Sequence, residues 1–292
     1  MNHLTESPPD LTMNSGINRR FNQSARTYDQ SASIQIHIAK KLSDQLPDAH
    51  TLKGLTSLNL QQQTAIKNNS PLEILEIGCG TGHLSTHLLK LYPEANLTIT
   101  DFSEPMLSIA QKKISHLFNQ PEGNQPVKNQ SVSGELLFQI LNPETDLQLP
   151  PPENQKKYDL IASSMAIHWF ENYETTLRLI TNQLKPGGSF YLSTIGPDCF
   201  PEWRTTLKYL NLPIGIRLLP PLENIILEET ISKNYGSTAR FLTELKQTGA
   251  HSPRRGYTPL PPTQLRTAIT AMDQKYNGTI TWHIQYAKLS AK

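Results

Sequence analysis

Glycines are spaced for chemistry in the run Glu76-Ile77-Gly78-Cys79-Gly80-Thr81-Gly82. Lacking a Cβ, glycine lets the main chain turn tightly and come close to a ligand that side chains would hold off, so a nucleotide-like ligand is implied. A dinucleotide fingerprint needs its third glycine three positions after the second. Here Gly82 comes two after Gly80, and His83 holds the expected place. The Gly-Lys-Ser/Thr ending of a phosphate loop is also missing. Asp101 follows Gly80 by 21 residues, close to the helix-plus-strand length that returns a carboxylate to the same crevice. Cys79 and Cys199 are far apart without metal-ligand spacing, and no metal cluster, nucleophile or general base stands out.

The elements that position these residues can be read from periodicity. Residues 72–77 form an apolar run of strand length, and Leu84, Leu88, Leu89 and Leu91 follow the glycines at helical spacing. Residues 96–100 form a second strand ending at Asp101, and residues 106–118 a helix, so a βαβ alternation begins here. Third, fourth and fifth strands are expected at 136–141, 158–163 and 189–195, with a helix at 173–184 and a turn at Pro186-Gly187-Gly188 before the fifth strand. Helices at 202–210, 237–248 and 263–276 and a strand at 279–289 complete the pattern. The expected fold is α/β and Rossmann-like, a mostly parallel twisted sheet with helices on both faces and an antiparallel edge strand.

Residues 1–16 read as a flexible tail, without the basic start and apolar run of a secretory signal. Residues 17–292 read as a single domain. Within it, 17–70 form a helical lid with a Gln/Asn-rich polar extension, 71–195 the ligand-binding core, and 196–292 the substrate-side helices and C-terminal edge strand. Residues 119–134 are a polar insertion. With 292 residues and 37% hydrophobic content, the chain can bury a sizeable core. Its net charge of +2 does not suggest a nucleic-acid binder. No apolar stretch is long enough to span a membrane, and the expected location is the cytoplasm.

The Glu76–Gly82 run resembles the first motif of class I methyltransferases that use S-adenosylmethionine. The resemblance implies that Glu76, Cys79 and the main chain of Gly78, Gly80 and Gly82 embrace the methionine part. It implies that Asp101 accepts both ribose hydroxyls and that Phe102 flanks the adenine. The third-strand position that often contacts the adenine amino group reads Leu141-Asn142-Pro143. Asn142 is either that contact or a turn residue.

The run Arg19-Arg20-Phe21-Asn22-Gln23-Ser24-Ala25-Arg26-Thr27-Tyr28-Asp29, followed by Ile34-Gln35, is similar to the opening of the malonyl-acyl-carrier-protein O-methyltransferases of biotin synthesis. The similarity continues through Trp169, Gly196-Pro197, Pro201-Glu202-Trp203-Arg204 and Leu245-Lys246-Gln247-Thr248-Gly249-Ala250. Where the family usually has Gln, this chain has His168. By this resemblance Tyr28 sits over the sulfonium and the acceptor carboxylate, His168 and Trp169 wall the transfer site, and Arg204 pairs with a carboxylate or phosphopantetheine. The alternatives are that Tyr28 and Trp169 are packing residues, His168 is a structural histidine and Arg204 is a solvated helix charge.

Lys233, Arg240, Lys246, Arg254, Arg255 and Arg266 form either a docking face for an acidic carrier or a scattered solvated surface. The implied reaction esterifies the carboxylate of malonyl-acyl-carrier protein, or of malonyl-coenzyme A, to start pimeloyl synthesis. That carboxylate is already ionised near neutral pH, so no general base is required. Other candidate functions are methylation of a free small acid such as trans-aconitate and a non-catalytic assembly role. No metal and no nucleic-acid partner is implied.

Overall fold

The computed structural model describes residues 12–57, 70–119, 133–148, 156–217, 219, 222–249 and 256–291. The Gln61-Gln62-Gln63 and Asn68-Asn69 runs, most of the 119–134 insertion, Pro150-Pro151-Pro152, and Arg254 and Arg255 of the basic set lie outside the described residues.

Four helices come first: α1 (Thr12–Ser24), α2 (Tyr28–Ser31), α3 (Ser33–Ser43) and α4 (Ala49–Ser57). The alternating core follows as β1 (Glu73–Ile77), α5 (His83–Leu91), β2 (Asn96–Asp101), α6 (Glu104–Asn119), β3 (Leu136–Ile140), α7 (Pro143–Asp146), β4 (Tyr158–Ser164), α8 (Tyr173–Thr181) and β5 (Leu184–Ile195). Last come α9 (Pro201–Tyr209), β6 (Ile225–Asn234), α10 (Thr238–Gln247), α11 (Pro262–Tyr276) and β7 (Thr279–Ser290). The seven strands form one sheet in the order β3-β2-β1-β4-β5-β7-β6. β1 to β5 pair in parallel, and β7 runs antiparallel to both β5 and β6. Between β1 and β4 the chain order reverses, and ligands of open α/β sheets bind in the crevice at such a point.

The apolar runs of the central strands arise because both faces are covered. Ile74, Leu160, Ala162 and Tyr191 pack into one cluster with α3 and α5, while Leu75, Ile161, Phe190 and Leu192 face the opposite cluster with α8. The N-terminal part is therefore more than a lid. α3 places Ile34, Ile38 and Leu42 on one stripe inside the first cluster, joined there by Leu52 of α4. Ile38, Leu42 and Leu52 are fully buried, each contributing roughly 1.5–3 kcal/mol. α1 and α2 extend beyond this layer over the ligand crevice, which α3 also reaches through Gln35 and Ala39.

Three further boundaries differ from expectation. The first helix begins at Thr12, inside the segment expected to be a tail. Pro186-Gly187-Gly188 is absorbed into β5 as an irregularity in its pairing with β4, where a Cβ on Gly188 would lie 2.9 Å from the Tyr158 carbonyl oxygen. The strand expected at 279–289 is the antiparallel one, but it is not the edge, because β6 pairs outside it. β6 alternates half-buried Leu227, Glu229, Ile231 and Lys233 with exposed residues, the pattern of a strand with one face to solvent.

Candidate functional site

The glycine turn sits between β1 and α5 with Gly78, Gly80 and Gly82 at positive φ (70°, 54° and 87°). Gly78 is required sterically, because a Cβ there would lie 2.3 Å from the Ala166 Cβ. At Gly80 a Cβ would meet nothing within 4 Å, so its open side faces the crevice. The turn is tied to the end of β2: the Cys79 N–H donates to the Thr100 carbonyl at 2.9 Å, and the Gly80 N–H donates to Asp101 Oδ2 at 2.8 Å. Asp101 Oδ1 accepts the Ser103 N–H at 2.8 Å. A carboxylate offers about four lone-pair sites, so each oxygen retains capacity for a ligand hydroxyl.

Glu76 is 1% exposed, and its Oε2 is buried without a hydrogen bond. Burial, with the charge of nearby Asp101 adding to it, pushes its carboxyl from an ordinary 4.5 up to about 8. Burial likewise raises Asp101 to about 6, although the N–H groups of Ser103, Gly80 and Phe102 pull the other way. Two buried carboxyls held above their ordinary range form a site that a ligand with one cationic group and a pair of hydroxyls would complete. The ammonium and ribose of S-adenosylmethionine fit this donor set.

The cleft around these groups is lined by Tyr28, Glu76, Gly78, Cys79, Gly80, Asp101 and Phe102, with Phe21, Gln35, Met165, Ala166 and Trp169 closing its far side. The Cys79 thiol is buried and pushed well above its ordinary pKa by that burial, so it lines the cleft as a neutral group. Phe21 of α1 stands edge-on to Phe102 (5.6 Å between centroids) and to Trp169 (5.4 Å). α1 is further held by Asn18 Nδ2 donating to the Phe102 carbonyl and by Ser103 Oγ donating to Asn22 Oδ1.

Asp29, next to Tyr28, clamps this cover to the glycine turn. Thr81 Oγ1 donates to Asp29 Oδ1 at 2.5 Å, His83 Nε2 lies 3.0 Å from the same oxygen, and Lys113 Nζ is 2.8 Å from Oδ2. Burial acts to raise the Asp29 carboxyl, but these hydrogen bonds outweigh it and hold it well below the usual carboxylate range.

Phe21, Tyr28, Gln35, Met165 and Trp169 also line a second, larger cavity of about 480 Å³. Its far wall comes from the C-terminal third, where Phe200 stacks edge-on against Trp282 (4.7 Å) and Phe241 (5.3 Å). Met165, at the junction, adopts φ 55°, a strained conformation for a residue with a side chain. His168 is buried with Nδ1 3.4 Å from Thr194 Oγ1. Burial and the Arg217 charge push it down to about 3, so the ring is neutral. Burial, with Asp101 and Asp29 adding to it, raises the Tyr28 hydroxyl above its ordinary range, so it stays protonated.

Two residues expected at the site lie elsewhere. Asn142 is absent from the lining of both cavities, and its Oδ1 accepts the Glu144 N–H at 3.1 Å as the N-cap of α7. Arg204 also lines neither cavity, and its Nε donates to the Cys199 carbonyl at 2.9 Å, bracing the start of α9. In the basic set, Lys233 and Arg240 both reach Glu244 (2.7 and 3.5 Å). Sequence reasoning gave no role to Phe21, Gln35, Met165 or Arg217. The first two stand in a run it did single out and Met165 lies just ahead of His168 and Trp169, which it also singled out, whereas Arg217 lies in a Pro-rich stretch with no periodic signal.

A family model described as a methyltransferase domain matches residues 49–225. Malonyl-[acyl-carrier protein] O-methyltransferase 2 of Ilyobacter polytropus is 30% identical over 249 residues, covering 81% of this chain and 80% of that protein. A malonyl-[acyl-carrier protein] O-methyltransferase of Magnetococcus marinus is 28% identical over 285 residues, covering 94% of this chain and 91% of the other. The biotin biosynthesis bifunctional protein BioCD of Bordetella avium is 27% identical over 280 residues, and this chain spans 51% of its length.

Proposed function

Because this chain belongs to the methyltransferase-domain family and, within it, to the malonyl-[acyl-carrier protein] O-methyltransferases, we propose that it esterifies the free carboxylate of malonyl-acyl-carrier protein in biotin synthesis. The enzyme depends on S-adenosylmethionine, which when bound supplies a methyl group on positively charged sulfur.

The observation that carries the choice of acceptor is the protonation of the junction between the two cavities. Among the described residues, five line both the cofactor cleft and the larger cavity: Phe21, Tyr28, Gln35, Met165 and Trp169. None is a base at neutral pH, since the Tyr28 hydroxyl keeps its proton. His168, held near 3, is a poor general base, because an effective one titrates near the working pH. An amine, a phenol or a carbon acid would need deprotonation here, whereas a carboxylate arrives ionised.

The chain's residues then act by holding and shielding. Glu76 receives the cofactor's ammonium, and Asp101 receives its ribose hydroxyls. Cys79 and the Gly78, Gly80 and Gly82 main chain contour the cleft, and Phe102 flanks the adenine. Tyr28 donates a hydrogen bond to the acceptor carboxylate, and Trp169 with neutral His168 excludes water from the transfer path. Alignment of this kind lowers barriers by roughly 7–11 kcal/mol. Removing the acceptor's negative charge lets the product enter apolar sites that the parent acid would not.

The same reading treats residues 17–292 as one methyltransferase domain, supported by a single sheet that includes both β1 and β7. Relatives named for malonyl-[acyl-carrier protein] support the carrier-bound acid, with malonyl-coenzyme A as the alternative acceptor, and the proposed location is the cytoplasm. Among the described residues no helix is long and apolar enough to cross a membrane.

Mass spectrometry tests the proposal. Malonyl-carrier protein incubated with the enzyme and S-adenosylmethionine should gain about 14 Da, the mass of one methylene, while the acetyl form, without a free carboxylate, should gain nothing. No gain on the malonyl form despite cofactor binding would overturn it and direct attention to free small acids or a non-catalytic role.

A further inference from the structure

Among the described residues lining the 480 Å³ cavity, the charged ones are Arg20 and Arg217, and none is an Asp or Glu. Arg217, between α9 and β6, is anchored by neutral groups. Its Nη2 donates to the Glu171 carbonyl at 2.9 Å, and its Nη1 reaches the His168 and Trp169 carbonyls at 3.5 Å each. Two of these carbonyls belong to the 3-10 turn Ile167–Trp169, which carries two walls of the transfer site, and the third follows it. A guanidinium has five N–H donors in one plane, so this anchoring sets its orientation and leaves donors over.

No carboxylate among the described residues pairs with Arg217. Its guanidinium lies against the 3-10 turn that carries His168, another residue of the cavity wall, and its charge adds to the burial that chiefly lowers that ring's pKa. A fixed cation on an apolar wall, with no counter-ion among the described residues, favours an anionic guest and loses that preference once the guest is neutral.

We propose that Arg217 is the specificity-determining residue for the acceptor: it pairs with the ionised carboxylate of the acyl group, and the loss of that charge on methylation releases the ester. This rests on the carboxyl-methylation reading above. Arg217 thereby takes the part that the sequence suggested for Arg204. The same interaction distinguishes substrate from product, which otherwise share carrier, thioester and acyl length.

The test is equilibrium binding by calorimetry to enzyme saturated with S-adenosylhomocysteine, which has no methyl to give. The two guests are malonyl-carrier protein and its methyl ester, so carrier contacts cancel. Wild type should hold the acid about 10- to 100-fold more tightly than the ester, the range of one charge-assisted hydrogen-bonded pair. R217Q should lose that preference by weakening the acid while leaving the ester within about twofold, and R217K should restore part of it. Unchanged S-adenosylhomocysteine affinity in each variant reports an intact cofactor half.

Equal wild-type affinity for acid and ester, or equal weakening of both by R217Q, overturns the assignment and leaves Arg217 a structural clamp. Failure of wild type to methylate malonyl-carrier protein at all counts against the carboxyl-methylation reading itself. Methylation with no acid preference counts against Arg217 alone.

Discussion

Replacing Glu76 with Gln should stabilise the ligand-free protein while damaging its binding, with a pH signature that can be worked out beforehand. Glu76 is 1% exposed, and its carboxyl titrates near 8 in the fold against an ordinary 4.5. The folded-state pKa is raised, so folding incurs no penalty from this group below about 4.5. Stability is lost progressively as pH rises from there through 8. Between pH 5 and 7 the native protein should lose about 3 kcal/mol from this group alone, at 1.36 kcal/mol per pH unit.

Glu76→Gln cannot titrate, so its stability relative to wild type should improve by the same amount over that interval. At about 2–4 °C per kcal/mol for a chain of this size, the melting-temperature difference should widen by roughly 6–12 °C from pH 5 to pH 7. Scanning calorimetry of the ligand-free proteins at both pH values measures it. Titration with S-adenosylhomocysteine should show the opposite consequence, an affinity about tenfold weaker or worse in the variant. Wild type should release close to one proton on binding near pH 7, because an ammonium beside Glu76 favours the ionised form. Melting curves that stay parallel with pH, together with binding that releases no proton, would refute the reasoning.

The two glycines of the turn should fail differently. Gly78→Ala, with its Cβ 2.3 Å from that of Ala166 at φ 70°, should lose about 2–5 kcal/mol of stability, visible as a lowered melting temperature. Gly80→Ala, with open space at its Cβ but φ 54°, should lose only the roughly 1–2 kcal/mol of left-handed backbone strain, melting several degrees below wild type, yet bind S-adenosylhomocysteine about tenfold more weakly, its methyl occupying the crevice. Asp29→Asn should loosen the cover over the cleft, seen as faster hydrogen exchange across residues 28–31. Because the Asp29 carboxyl is held below its ordinary range, wild type should lose the same protection as pH falls through that carboxyl's folded-state pKa, whereas the variant's exchange should lack this titration. Tyr28→Phe should lower kcat about tenfold by removing one hydrogen-bond donor, with S-adenosylhomocysteine affinity unchanged within twofold.

The cofactor half was legible along the chain because each of its parts is local. An apolar strand, a glycine turn and a helix are contiguous at 73–91, and Asp101 comes back to the turn because a helix and a strand of ordinary length cover the interval. No distant contact is needed to infer that geometry. β6 escaped notice because an edge strand with one solvated face mixes Glu and Lys into its alternation, weakening the apolar signal that marked the buried strands.

The acceptor half was decided in three dimensions. Tyr28 and Trp169 meet at one junction only because α1 and α2 fold back over the carboxyl ends of β1 and β4. Phe200, Phe241 and Trp282, from three separate elements, close the opposite wall. Arg204 and Arg217 are both candidate anion binders by residue type. Local order could not choose between them, because the choice depends on which of the two lines the cavity once the chain has folded, and that is Arg217. Sequence periodicity reports which face of an element is apolar, but the charge lining a cavity depends on which distant segments converge there.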